Sequence, residues 1–220
     1  MPIRKIPRSH SSVTGCLASD KAVGDAQYES TLERDLYTLL EFDPAVSSYE
    51  VQPVRIDYID EEGKARHYTP DVLVHYEKRP RGESPRRPLL CEVKPVAQLA
   101  GHWREIRRKV QAARAFVGTR DWEFRVLTER HIRTPYLDNA RFLLPFKRRP
   151  TDQAAEALLV DRLRELRSTD PQTLLAAVYW DPENRDLLIP SLWKLIAYGI
   201  VECDLGLPLT MTTRIWLREA

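Results

Sequence analysis

Two β-patterned runs near the middle of the chain, YTPDVLVHY at residues 68–76 and LLCEVKP at residues 89–95, restrict what this sequence can fold into. Both are dense in Val, Leu and other strand-favouring residues, which predicts strands whose side chains alternate between two faces. Yet Asp71 opens the first run directly after Pro70, while Glu92 and Lys94 sit inside the second. Standing two apart, Glu92 and Lys94 share one face and Val93 turns to the other. Packing alone would not select that pair. Proline cannot donate to a ladder, so the strand is expected to splay at Pro70 and to open a way in for metal and substrate. If the two runs are neighbours, Asp71, Glu92 and Lys94 converge on one point.

The flanking sequence supplies helices to cover such a sheet. Residues 30–42, STLERDLYTLLEF, place Leu32, Leu36, Leu39 and Leu40 at helical spacing, with Ser30 three residues ahead of Glu33 as a capping box and Asp43-Pro44 as the stop. Residues 49–59 and 66–76 read as the arms of a hairpin around DEEGK. EKRPRGESPRRP is an exposed loop, residues 96–116 are helical in composition, and EFRVL at 123–127 is a further short strand. The order helix, hairpin, strand, helix, strand predicts an α/β domain with a mixed sheet flanked by helices.

A basic, proline-ended KRRP at residues 147–150 marks the expected domain boundary, giving a domain over 25–148 and a second over 149–220. In the second, helices are expected at 154–167, 171–178 and 186–198, and GIVECDLGLPLTMTTRIWL reads as two short strands around a Gly-Leu-Pro turn. Helices followed by a small hairpin predict a winged-helix-like module. Its third helix, DLLIPSLWKLIAYG, is mostly apolar with Lys194 as its single basic residue, which favours protein contact over base reading.

Composition narrows the chemistry. With 220 residues, 43% hydrophobic and 30% charged, the chain has material for a real core. A net charge of +2 does not announce a polyanion-binding protein, so any such site is local. Three cysteines without CxxC spacing and five scattered histidines argue against zinc and for a reducing, cytoplasmic setting. No run approaches the roughly 20 apolar residues of a membrane span, and MPIRKIPRSHSSVTG lacks the apolar centre of a signal peptide, so no membrane partner is expected. Residues 1–24 read as a mobile basic arm.

Two carboxylates beside an ammonium are suited to phosphodiester hydrolysis. Mg²⁺ takes oxygen ligands, usually one or two carboxylates with water and substrate phosphate, which Asp71 and Glu92 offer. Lys94 would orient the nucleophile or stabilise charge. The helix adds an acid at the border of its buried stripe, since Glu33 precedes Leu36 and Leu40 at helical spacing; Glu29 lies one turn earlier on the same stripe, and periodicity does not choose between them.

The pair PD and EVK meets the PD-(D/E)xK pattern of restriction-endonuclease-like nucleases. Its setting, ESTLERDLYTLLEFDPAVSSYEVQPVRIDYIDEEGKARHYTPDVLV followed by LCEVKP, resembles TnsA-type endonucleases, subunits of heteromeric cut-and-paste transposases, from about residue 28 to residue 129. The resemblance puts the family's helix glutamate on Glu33, its strand aspartate on Asp71 and its lysine on Lys94, with Glu92 at the position two before the lysine and Gln52 of VQP near the active site. It implies a Mg²⁺-dependent enzyme, with Mn²⁺ as a substitute and one or two ions held by Asp71, Glu92, Glu33 and Val93. It also implies cutting of the 5′ strands at transposon ends in double-stranded DNA, beside a TnsB-type DDE transposase and a TnsC-type AAA+ ATPase. A restriction or repair nuclease of the same fold and a non-catalytic adaptor are the rival readings. Arg79, Arg81, Arg86 and Arg87 of the basic loop, and Arg104, Arg107 and Arg108 of the following helix, are candidates for phosphate contact.

Overall fold

The computed structural model describes residues 13–78, 83–150 and 152–218. Its contacts divide the chain into two units, Met1–Arg133 and Thr134–Ala220.

In the first unit, β1 (Gly15–Leu17) pairs antiparallel with β2 (Ala26–Tyr28), and α1 (Thr31–Phe42) follows. Ser30 caps α1 by accepting from the Glu33 N–H at 3.1 Å. The helix buries Leu32, Leu36, Tyr37 and Leu40, and Tyr37 stacks on Tyr49 with ring centroids 5.5 Å apart. Part of the expected mobile arm is ordered: Ser19 donates its hydroxyl to Glu41, the Asp20 N–H reaches the same carboxylate at 3.2 Å, and Lys21 Nζ reaches the Leu40 carbonyl at 3.2 Å. Residues 19–21 are thus tied to α1, residues 15–17 pair with β2, and residues 1–12 lie outside the described part.

Strands β3 (Val46–Val51), β6 (Val72–Tyr76), β7 (Leu89–Val93) and β8 (Glu123–Leu127) form one mixed sheet in the order β3-β6-β7-β8. The first three are antiparallel and β8 runs parallel to β7. A parallel neighbour needs a crossover, supplied by α2 (Val96–Gly101) and α3 (Trp103–Gly118), which the sequence reading had joined as one helix. Gly101-His102 breaks them. The stripe Ile106, Val110, Ala113 and Val117 is the buried face of α3, and Ala113 and Val117 pack with Leu73 and Leu90 of the sheet. Helix α4 (Glu129–Ile132) closes the unit.

The expected hairpin is bent into two pieces. β4 (Ile56–Ile59) pairs with β5 (Ala65–Tyr68) apart from the β3–β6 ladder. The bend falls where Gln52, at φ 49°, takes a left-handed backbone ahead of Pro53, opposite Thr69-Pro70.

The second unit contains α5 (Pro135–Lys147), α6 (Gln153–Leu166), β9 (Ser168–Thr169), α7 (Pro171–Val178), α8 (Pro182–Ala197), β10 (Val201–Glu202) and β11 (Ile215–Leu217). Helix, strand, two helices and a two-strand hairpin, with the sheet ordered β10-β11-β9, is a winged-helix-like arrangement. Strand β9 completes a sheet that the sequence reading left with two strands. The expected boundary after Arg148 moves to Arg133 because α5 packs on α8, with Phe142 edge-on to Trp193 at 5.2 Å. Helix α8 starts earlier than expected, at Pro182, because Asp181 caps it and the proline fits the first turn. Among the described residues no helix is long and apolar enough to cross a membrane.

The loop between β10 and β11 is pinned by one side chain. Buried Asn139 of α5 donates to the carbonyls of Leu205 (2.9 Å) and Leu207 (2.7 Å) and accepts from the Leu209 N–H at 3.0 Å. Asn139→Ala would strand these groups, and a stability loss of about 2–3 kcal/mol is expected in urea unfolding; an unchanged midpoint would contradict the pinning.

Candidate active site

The three residues singled out on the two runs come together where β6 begins and β7 ends. Lys94 Nζ lies 2.9 Å from Glu92 Oε1 and 3.8 Å from Asp71 Oδ2, and donates to the Val93 carbonyl at 3.2 Å. One ammonium is therefore held among oxygens of Asp71, Glu92 and Val93. The expected splaying at Pro70 does not occur: the Asp71 N–H donates to the Cys91 carbonyl at 3.1 Å, and the Asp71 carbonyl accepts from the Gln52 N–H at 2.9 Å. The proline acts differently. Where it leaves the ladder, the Val93 N–H is taken by the Asp71 carboxylate at 2.6 Å, so the sheet stays closed and the side chain is locked across β7.

The cleft above them measures about 340 Å³ and is lined by Glu29, Gln52, Tyr68, Asp71, Glu92, Lys94 and Lys109 among others. Gln52 bridges its two sides, its backbone bonded to Asp71 and its Nε2 donating to Glu29 Oε1 at 3.3 Å. This gives Gln52 a positioning role that the sequence did not define. Glu33 sits differently from its strand partners. Its carboxylate accepts from the Ser30 hydroxyl and the Glu29 N–H, both at 2.8 Å, so it serves the helix cap while Glu29 faces the cleft. Glu33 stays within electrostatic reach, since burial and then the charge of Asp71 raise its pKa.

The charges explain the other titrations. Burial raises Asp71, with Lys94 opposing. Burial and then Asp71 push Glu92 up to about 7. Burial works to lower Lys94, but Asp71 and Glu92 outweigh it and hold it above its ordinary value. Four carboxylates, Glu29, Glu33, Asp71 and Glu92, thus lie in or beside a cleft that holds the ammonium groups of Lys94 and Lys109, and Lys109 is itself paired with Glu105 at 2.5 Å.

The residues fit a hard divalent cation. Glu92 Oε2 and Gln52 Oε1 are buried without a hydrogen-bond partner in the protein, two oxygen acceptors left over in a cleft with surplus negative charge. The fit is to two carboxylates with solvent and substrate completing the shell: among the described residues no three of His, Cys, Asp and Glu are already grouped as a metal cage.

The phosphate-contact candidates separate. Arg86 and Arg87 line a different cleft with Tyr76 and Leu89, at the opposite end of β6 and β7 from Asp71 and Glu92. Arg86 lies over the Tyr76 ring at 4.9 Å, and Arg87 pairs with Asp121 at 2.9 Å. A strand of about five residues spans roughly 17 Å, so these two cannot serve a phosphate held at Asp71. Arg104 and Arg108 line a crevice against the β4–β5 hairpin, where Arg108 approaches Glu61 at 3.9 Å, and Arg107 is exposed. Arg79 and Arg81 lie outside the described residues. Lys109 was missed, although its place beside the buried stripe of Ile106, Val110 and Ala113 was a signal that it borders the sheet.

Residues 43–129 match the family described as TnsA-like endonuclease N terminal. This is a TnsA-like endonuclease domain. The match spans the sheet with Asp71, Glu92 and Lys94 and stops at the first turn of α4, before the second unit. A TnsA-like domain is that of a nuclease related to transposition. No curated protein was found to match the chain.

The Glu92 titration is testable with chelator present. A carboxyl group raised in the folded state contributes stability that is complete below its unfolded value near 4.5 and lost as pH passes about 7. Wild type should therefore lose up to about 3 kcal/mol relative to Glu92→Gln between those limits in denaturant melts. A difference that grows in favour of wild type with rising pH would contradict the burial argument.

Proposed function

We propose that the chain is a metal-dependent DNA endonuclease that cuts the 5′ strands at transposon ends, together with a DDE transposase of the TnsB type and a AAA+ ATPase of the TnsC type. The observation that carries this reading is the convergence of Asp71, Glu92 and Lys94 at the ends of two paired strands inside a TnsA-like domain. Mg²⁺, with Mn²⁺ as a substitute, is the proposed cofactor, held by Asp71, Glu92 and the Val93 carbonyl; when bound, it supplies charge neutralisation and an acidified water.

The chain's own residues do the rest. Asp71 is fixed by the Val93 N–H, so one of its oxygens is oriented before substrate arrives. Glu92, raised toward neutrality, gives up its proton readily when positive charge enters the cleft. Lys94 stays protonated and, released from Glu92, can donate to a phosphate oxygen or to the attacking water. Lys109, on the α3 wall and paired with Glu105 at 2.5 Å, offers a second ammonium for the DNA backbone once that exposed pair opens. Glu29 faces the cleft directly, and Glu33, the helix acid of the resemblance, acts through its charge on Asp71.

The test is strand-specific cleavage of DNA carrying transposon ends, with the partner subunits present. Asp71→Ala and Lys94→Ala should each lower 5′-strand cutting by about a hundredfold or more while remaining folded. Undiminished cutting by either folded variant would remove these residues from the reaction. Vigorous cutting by the wild-type chain alone would favour a stand-alone nuclease.

A further inference from the structure

The mixed sheet of the first unit ends differently on its two sides. Along β3 the chain covers its own edge: the Val23 N–H donates to the Tyr49 carbonyl at 2.8 Å, and the Tyr49 N–H donates to the Lys21 carbonyl at 3.1 Å. Along β8, β7 is the only neighbouring strand among the described residues. An open edge carries a row of backbone donors and acceptors ready to pair with another strand.

The ladder with β7 shows which groups point outward. The Glu123 N–H donates to the Pro88 carbonyl and the Leu127 carbonyl accepts from the Lys94 N–H, both at 2.9 Å. Backbone groups alternate sides along a strand, so Glu123, Arg125 and Leu127 face β7, and Phe124 and Val126 aim their N–H and C=O groups at the open edge. Side chains alternate as well. Phe124 packs on the α3 face with Leu90, Ala113 and Val117, while Glu123 and Arg125 stand on the opposite face, exposed and paired with each other at 3.2 Å. Edges guarded against pairing carry lysine, proline or an inward-pointing charge. Strand β8 carries instead an acid and a base two residues apart on one face.

That spacing selects the occupant. When two copies of a strand pair antiparallel about a two-fold axis, Phe124 and Val126 must sit opposite outward-facing residues, which leaves few registers. Centred on Glu123 or on Arg125, the pairing sets that charge against its own copy, and like charges directly opposite are destabilising. Centred on Val126, it sets Arg125 against Leu127 and Glu123 against Glu129. Centred on Phe124, it puts Glu123 of each copy opposite Arg125 of the other, around a Phe124–Phe124 pair that exchanges both backbone bonds. Val126 then faces Trp122 of the second copy on the α3 side. There Leu99, Trp103, Val110, Phe124 and Val126 help to line an apolar groove of about 440 Å³, and Trp103 is 52% exposed. The edge is complementary to itself in charge and in apolar cover.

We propose that the β8 edge pairs with the β8 edge of a second copy, antiparallel and centred on Phe124, so that the two four-stranded sheets become one. This goes beyond the nuclease reading and does not depend on it. Because Val93 of the candidate site stands beside Leu127, the dimer would carry two clefts towards opposite ends of the joined sheet.

The test is sedimentation velocity of the full chain without DNA, over about 1 to 100 μM. Wild type should pass from monomer to dimer within that range. Arg125→Glu sets acid against acid twice and Glu123→Arg sets base against base twice, and each should raise the dissociation constant about tenfold or more. The two single variants mixed in equal amounts should dimerise with each other, and the double variant Glu123→Arg, Arg125→Glu should dimerise as wild type does. Both side chains are exposed, so thermal melting of the variants as monomers should be unchanged.

Wild type that stays monomeric throughout, or that associates only once DNA is added, overturns the proposal. Single variants that dimerise at full strength overturn it too, as does a mixture or a double variant that stays monomeric while folded. Cutting by Asp71→Ala tests the nuclease reading separately from all of these outcomes.

Discussion

The bond from the Val93 N–H to the Asp71 carboxylate, at 2.6 Å, joins the two features on which the site depends. It crosses from β7 to β6 where Pro70 has ended the backbone ladder, so a side chain takes over a pairing that the main chain has left. The strand ends therefore stay together, and the carboxylate is held beside Glu92 and Lys94 rather than turned to solvent. Gln52, on the other side of β6, uses its left-handed backbone to bond the Asp71 carbonyl and its amide to reach Glu29. Two strands and the approach to α1 are in this way connected through Asp71.

Bringing carboxylates together in a half-enclosed cleft has an electrostatic consequence. Burial and mutual repulsion raise the pKa of Glu92 and Glu33, and Lys94 is held protonated among oxygens of three residues. Two ammonium groups, one of them already paired with Glu105, leave negative charge over, and Glu92 Oε2 and Gln52 Oε1 stay buried without partners in the protein. A divalent ion would relieve both conditions, which is the physical ground for proposing one here.

Much of this was legible in the sequence, for identifiable reasons. Period-two alternation in YTPDVLVHY and LLCEVKP gave the paired strands and put Glu92 and Lys94 on one face. The Ser30–Glu33 capping box and the leucine stripe gave α1. What failed was mostly long-range. Proline chemistry suggested an opening at Pro70, but nothing local shows that the Asp71 side chain would replace the missing pairing. Periodicity reads Glu29 and Glu33 on one stripe, whereas α1 begins at Thr31 and leaves Glu29 ahead of its cap, and only the fold reveals that Glu33 is engaged by Ser30 and the Glu29 N–H. The arginines of the basic loop are candidates for phosphates flanking the cut, and the antiparallel pairing of β6 and β7 places Arg86 and Arg87 at the other end of the sheet from Asp71. The domain boundary was misplaced because KRRP marks the end of α5, and a helix end need not be a domain end.

The central claim is that Asp71 and Glu92 together bind a divalent metal and that Lys94 gives way to it. The most direct measurement is a crystal structure of the chain grown with Mn²⁺, using anomalous scattering to locate the ion. The account predicts an ion bonded to both carboxylates, with the Lys94 ammonium moved off Glu92. A cleft without an ion at saturating Mn²⁺, or an ion bound elsewhere while Lys94 still bridges Asp71 and Glu92, would contradict it.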